Sequence, residues 1–130
     1  MPLGRVLPWR WLPSVAAPTL VVHGDGDHLV PPANGVQLAY LLPTSRLHLL
    51  RQEGHLLVAD PDGGAVPLLV DYFGANDVES CEAWKTGEVV ADERVVETAF
   101  AESLGAQPYR ALSEAYRRFV RGSARNGAAA

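Results

Sequence analysis

A short apolar run, Pro18-Thr-Leu-Val-Val-His23, is the feature that most limits how this chain can fold. Polar residues do not alternate with apolar ones in it, which is typical of a parallel strand covered on both faces. Gly24-Asp-Gly-Asp27 follows directly with residues that favour a turn. The run therefore predicts a buried strand that ends in an acidic turn.

Helix and strand patterns alternate after this turn. Pro31 and Pro32 precede a predicted helix over residues 33–42, which either Pro32 or Asn34 could begin. A second strand is predicted over residues 46–50. A further helix is predicted over residues 61–73, closed by Gly74. Strand, helix, strand, helix is a βαβ unit with an additional helix, so we expect the α/β fold class.

The remaining residues, 75–130, have a different pattern and are predicted to form a helical tail after a first domain of residues 1–74. Apolar residues share one face of a predicted helix over residues 92–104, and Pro108 begins a second amphipathic helix. The two would form a helical hairpin, with the end of the chain disordered. The basic face of the second helix is either solvated or a docking surface.

Charge and composition exclude several function classes. The chain has 130 residues, with 11 Lys and Arg against 15 Asp and Glu, so it lacks the basic excess expected of a nucleic-acid binder. No segment approaches the roughly 18 apolar residues that a membrane span needs. The single cysteine, Cys81, cannot form an internal disulfide, which is compatible with a reducing compartment. We therefore expect a soluble cytoplasmic protein.

Asp27 and His55 are the candidate catalytic residues, because each follows one of the two predicted parallel strands. Neighbouring parallel strands bring their carboxyl ends to the same sheet edge, where ligand sites gather. A carboxylate there can hold an imidazole in one tautomer, and the imidazole can then move a proton. Two structural interpretations stay open: the aspartates could only form the turn, and His55 could be a loop histidine bound to backbone.

Together these motifs resemble the α/β-hydrolase superfamily, through Gly24-Asp-Gly-Asp27, Val30-Pro31 and Gly54-His55. The resemblance implies that Asp27, rather than Asp25, is the acid of a catalytic triad and that His55 is its base. It implies the C-terminal part of that fold, with no cofactor and no metal. The flanks are most similar to intracellular poly(3-hydroxyalkanoate) depolymerases, in Leu7-Pro-Trp9, Val30-Pro-Pro-Ala-Asn-Gly35, Leu41-Leu-Pro43, Arg46-Leu-His48 and Gly54-His-Leu56. An ester or polyester is the substrate that this implies.

A nucleophile motif is missing from the sequence. A hydrolase of this kind carries its serine in Gly-x-Ser-x-Gly, and none of the six serines has that context. We therefore expect a hydrolase fragment that is inactive alone. The alternative is an inactive truncated chain that acts as an interaction module, for example on a granule surface, or that complements a separate N-terminal hydrolase half. The edge of the first strand would also favour self-association.

The other candidate residues favour structural roles. His23 and His48 lie in predicted strands and are expected to pack or to lie on the surface, whereas His28 either lines the mouth of the site or lies in a surface loop. Cys81 has acidic neighbours, which disfavour a reactive thiolate. Asp25-x-Asp27 resembles the start of a calcium loop, but the twelfth position is Val36 instead of a glutamate, so we expect no metal site.

Overall fold

The structure, a computed structural model, describes residues 10–104 as a mixed α/β arrangement. The helix predicted from Pro108 lies outside the described residues. Two strands, four α-helices and three short 3₁₀ helices follow one another along the described part of the chain. The strands are β1 (Thr19–Gly24) and β2 (Ser45–Leu50), and the α-helices are α1 (Pro32–Leu41), α2 (Ala65–Gly74), α3 (Glu82–Lys85) and α4 (Glu93–Leu104); the 3₁₀ helices are Leu12–Ser14, Leu57–Ala59 and Val78–Ser80.

The two strands pair in parallel, as the sequence predicted. The register runs from Thr19 opposite Ser45 to Gly24 opposite Leu50, so both strands end at the same level. Helix α1 connects them, which makes β1–α1–β2 a βαβ unit. The α/β fold class is thereby confirmed for the part of the chain that the structure describes.

Helices cover both faces of the sheet. On one face, α1 and α4 enclose a core of Val21, Val36, Ala39, Leu42, Leu47, Val90 and Val96. On the other face, Trp84 is the largest buried side chain and packs with Cys81 and Ala83 near α2. Apolar residues can therefore occupy consecutive positions in β1, because both of its faces are covered by packed side chains.

Residues 75–104, assigned to the tail by the sequence, contribute to both of these cores. Val96 of α4 lies in the core beside α1, and Trp84 of α3 lies in the core beside α2. Arg46 of β2 places its guanidinium 4.5 Å from the centre of the Trp84 ring. The segment is thus packed on the βαβ unit.

Helix α2 begins at Ala65, four residues later than the sequence predicted. Asp60 explains the difference, because its Oδ1 accepts a hydrogen bond from the Asp62 N–H at 3.0 Å. Its carbonyl accepts a second hydrogen bond, from the Gly63 N–H at 3.1 Å. Aspartate bonds of this kind compete with the first turn of a helix.

The two edges of the sheet differ. Leu47 and Glu88 exchange two backbone hydrogen bonds of 2.8 Å, so the outer edge of β2 is partly covered. The outer edge of β1 pairs with no strand among residues 10–104. Within the same residues, no helix has the length and apolar character required to cross a bilayer.

Candidate functional site

The candidate site lies where both strands end, between the turn after β1 and the loop after β2. The Asp25 N–H donates to the Leu50 carbonyl at 2.9 Å, which extends the strand pairing by one bond. The Gly26 N–H donates to the Glu53 carbonyl at 3.0 Å, and the Gln52 N–H donates to Asp25 Oδ1 at 2.7 Å. Asp25 therefore holds the two loops together.

Gly24 allows this close approach of the loops. A Cβ atom at position 24 would lie 2.2 Å from the Glu53 carbonyl oxygen and 2.7 Å from that of Gly54. Both distances are far shorter than a van der Waals contact, so only glycine fits here with the loop in place. The turn chemistry noted in the sequence thus sets the position of the residues before His55.

Asp27 is the buried carboxylate of the site. Its side chain is 4% exposed, and its Oδ1 accepts hydrogen bonds of 2.9 Å from the N–H groups of Leu29 and Val30. These two bonds fix the rotation of the carboxylate. Its second oxygen, Oδ2, lies 2.9 Å from His55 Nδ1.

The bond to Asp27 determines the state of the His55 ring. An ionised carboxylate only accepts hydrogen bonds, so Nδ1 carries the proton and donates a hydrogen bond to Oδ2. In the neutral ring Nε2 then holds a lone pair. The His55 side chain is 44% exposed, and within residues 10–104 no group makes a hydrogen bond to Nε2. That nitrogen can therefore accept a proton from a group outside the described part of the chain.

Asp27 is ionised in this arrangement. Burial by itself raises the pKa of Asp27, but hydrogen bonds from Val30, His55 and Leu29, together with the charge of His55, outweigh it. They lower the pKa from the ordinary value of 3.8 to about 2. A carboxylate that stays charged can stabilise an imidazolium on His55.

The structure also places the other histidines. His48 makes a 2.6 Å hydrogen bond with the Ala83 carbonyl on the far face of β2, and His28 is exposed in the loop. His23 lies beside Asp27, with its Nε2 3.9 Å from Oδ2, a position that the sequence analysis missed. The turn at Gly24 folds Asp27 back toward the strand, so the four-residue spacing of His23 and Asp27 was the available signal.

Three serines and the cysteine of the described residues lie in structural positions. Ser14 and Ser80 donate to backbone carbonyls within their own turns, and Ser45 is buried and bonds the Ala39 carbonyl at 2.7 Å. Cys81 is buried beside Trp84. Residues 10–104 contain no group of three or more potential metal ligands.

A carboxylate–imidazole pair at the ends of parallel strands is the acid–base arrangement of many hydrolytic enzymes. Comparison with curated proteins gives three partial similarities. The chain is 34% identical over 64 residues to a poly(3-hydroxyalkanoate) depolymerase of Ectopseudomonas oleovorans, covering 49% of this chain and 22% of that protein. It is 27% identical over 78 residues to a 2-hydroxy-6-oxo-2,4-heptadienoate hydrolase of Pseudomonas putida, covering 52% and 28%.

The third similarity is to the polyketide synthase ThaQ of Burkholderia thailandensis, with 48% identity over 44 residues, or 34% of this chain and 2% of that protein. The chain thus spans less than a third of the length of these relatives. No protein-family model and no solved structure matches it. The partial similarities to the depolymerase and to the heptadienoate hydrolase relate the chain to hydrolases, and the mixed α/β structure is consistent with relatives of the α/β-hydrolase type.

Proposed function

We propose that this chain carries the acid and the base of a serine-type carboxylic ester hydrolase. The observation that supports this most directly is the 2.9 Å hydrogen bond between Asp27 Oδ2 and His55 Nδ1. The exposed ring of His55 and the ionised state of Asp27 agree with it. The partial similarity to a poly(3-hydroxyalkanoate) depolymerase favours a hydroxyalkanoate ester or polyester as substrate.

In the proposed reaction, His55 Nε2 removes the proton from a serine hydroxyl as its oxygen attacks the ester carbonyl. Asp27 keeps the proton of the ring on Nδ1 and stabilises the imidazolium. His55 then gives the Nε2 proton to the leaving alcohol. Water, deprotonated by the same nitrogen, releases the acid and restores the serine. In this proposal the attacking serine belongs to a hydrolase segment outside this sequence, because none of the six serines of the chain lies in Gly-x-Ser-x-Gly.

A chimera tests this proposal. Residues 19–74 of this chain, which include Asp27 and His55, replace the corresponding segment of the Ectopseudomonas oleovorans depolymerase, and hydrolysis of a hydroxyalkanoate ester is measured. We expect activity that His55→Ala or Asp27→Asn reduces by about 10⁴-fold, because these residues form the proton-transfer pair. His28→Ala is the matched control, since His28 is exposed and adjoins Asp27 in the same loop. A chimera that melts cooperatively but is inactive contradicts the proposal.

An interaction module is the alternative, and two surface features favour it. The outer edge of β1 is unpaired among the described residues, and Val70 and Phe73 of α2 are 68% and 78% exposed. Such surfaces are typical of contacts with another chain or another segment. A folded but inactive chimera, together with association of the isolated chain with a partner, would favour this alternative.

A further inference from the structure

A third titratable side chain, that of His23, lies against the carboxylate of Asp27. Its Nε2 is 3.9 Å from Oδ2, the same oxygen that accepts the hydrogen bond from His55. The His23 side chain is 14% exposed, so it fills space beside the carboxylate that water would otherwise occupy. His23 and His55 thus approach one oxygen atom, at different distances.

The bond made by the other nitrogen of His23 fixes its tautomer. Nδ1 lies 3.0 Å from the Gly24 carbonyl oxygen, and a carbonyl oxygen only accepts hydrogen bonds. Nδ1 must therefore carry the proton, and in the neutral ring Nε2 holds a lone pair. If Nε2 carried a proton and donated a hydrogen bond to the carboxylate, it would lie about 2.8 Å from Oδ2. The distance between Nε2 and Oδ2 is 3.9 Å. The gap fits a ring that presents no proton to Asp27.

Helix α1 keeps the ring in this position. A Cβ atom at Gly35 would lie 3.1 Å from His23 Cβ and Cδ2, so the backbone of α1 packs directly on the imidazole. The residues of α1 include no Asp, Glu, Lys, Arg or His, and the partner of His23 in β2 is Leu49. Neither of these neighbours therefore brings a charged group to the ring, and Nε2 faces the carboxylate of Asp27.

We propose that His23 is a positioning residue that reserves Asp27 Oδ2 for His55. It does so by presenting a lone pair instead of an N–H group and by excluding water from that side of the carboxylate. The inference rests on the proposed function for its catalytic meaning, because a triad acid must accept its hydrogen bond from the base. The arrangement itself can be measured in this chain without any hydrolysis.

The experiment is ¹⁵N NMR of the histidine rings in the full chain, near neutral pH. We expect the His23 signals to show a protonated Nδ1 and an unprotonated Nε2, and the Nδ1 proton of His55 to be protected from exchange with water. In His23→Gln, the side-chain amide can donate to Oδ2 and compete with His55. Exchange of the His55 Nδ1 proton should then become about tenfold faster, which corresponds to the loss of one ordinary hydrogen bond.

His48→Gln is the matched control, because it removes a strand histidine with a backbone partner on the other face of the sheet. It should leave the His55 proton unchanged, which separates positioning from a general loss of stability. A protonated Nε2 on His23, or equal exchange in His23→Gln and His48→Gln, overturns the inference. If His23→Gln does not fold, the tautomer in the unmodified chain decides. An inactive chimera would refute the proposed hydrolase but would leave these NMR results unchanged.

Discussion

Gly24→Ala tests whether the approach of the two loops creates the Asp27–His55 pair. The added methyl group would lie 2.2 Å from the Glu53 carbonyl oxygen, so the loop must retreat by about 1 Å to reach a normal contact. The hydrogen bond from His55 to Asp27 is 2.9 Å long and is lost beyond about 3.5 Å. The required movement is larger than this margin. We therefore expect the pair to separate, and the overpacking to cost about 1–3 kcal/mol of folding stability.

Gly54→Ala is the control, because it adds the same methyl group in the neighbouring loop, where no atom lies within 4 Å of the new Cβ. Urea unfolding measures the stability of both variants, and ¹H NMR detects the Nδ1 proton of His55. The signal should persist in Gly54→Ala and disappear in Gly24→Ala. If both variants keep the signal and the stability of the unmodified chain, the contact with Glu53 does not position His55 and our reasoning is wrong.

Three further predictions concern the packing of the core, the stability of the fold at low pH and the unpaired outer edge of β1. Val96→Ala should lower the free energy of unfolding by about 2 kcal/mol, because Val96 is 1% exposed. Val95→Ala, at a 42% exposed position, should change it by less than about 0.5 kcal/mol in the same urea assay. Equal effects would show that α4 does not belong to the core. Because the pKa of Asp27 is lowered in the fold, its ionised carboxylate should stabilise the fold fully above about pH 4 and progressively less toward pH 2. Thermal melts at a series of pH values should therefore show a weaker acid dependence for Asp27→Asn than for the unmodified chain. The same dependence of melting temperature on pH in both proteins would contradict the hydrogen bonds assigned to this carboxylate. Val22→Pro removes an N–H group from the outer edge of β1 and should reduce the self-association measured by sedimentation velocity. Val22→Thr keeps this N–H group and should leave self-association unchanged. Equal self-association of the two variants would exclude this edge as the contact.

Local sequence patterns sufficed for the βαβ unit. β1 and β2 were predicted to within one residue because an apolar run bounded by turn residues has few alternatives. Of the two starts that the sequence allowed for α1, Pro32 and Asn34, the helix uses Pro32, whose fixed backbone angle suits the first turn. The proximity of Asp27 and His55 followed from topology, since parallel strands end at a common edge.

Other features depend on contacts between residues distant in the sequence. The bridge between Leu47 and Glu88 and the packing of Trp84 on Arg46 join segments about 40 residues apart, and no local pattern specifies such pairs. The position of His23 depends on how the Gly24 turn folds back, which requires the loop around Glu53 to be in place. For this reason the sequence suggested that His23 packs in a strand but did not place it against Asp27.

The unequal edges of the sheet indicate where the rest of a hydrolase would attach. The outer side of β2 is occupied by the bridge to Glu88 and by the segment around Trp84, so a further strand cannot pair along its full length. Alternate residues of a strand direct their backbone groups to the same side, and Thr19 and Asp25 both donate toward the β2 side. The backbone groups of Leu20 and Val22 must therefore point to the open edge of β1. We infer that additional strands of the proposed enzyme pair there, which would bring their carboxyl ends to the sheet edge that holds His55. A serine on one of those strand ends would then approach the exposed Nε2 from the side that Asp27 does not occupy.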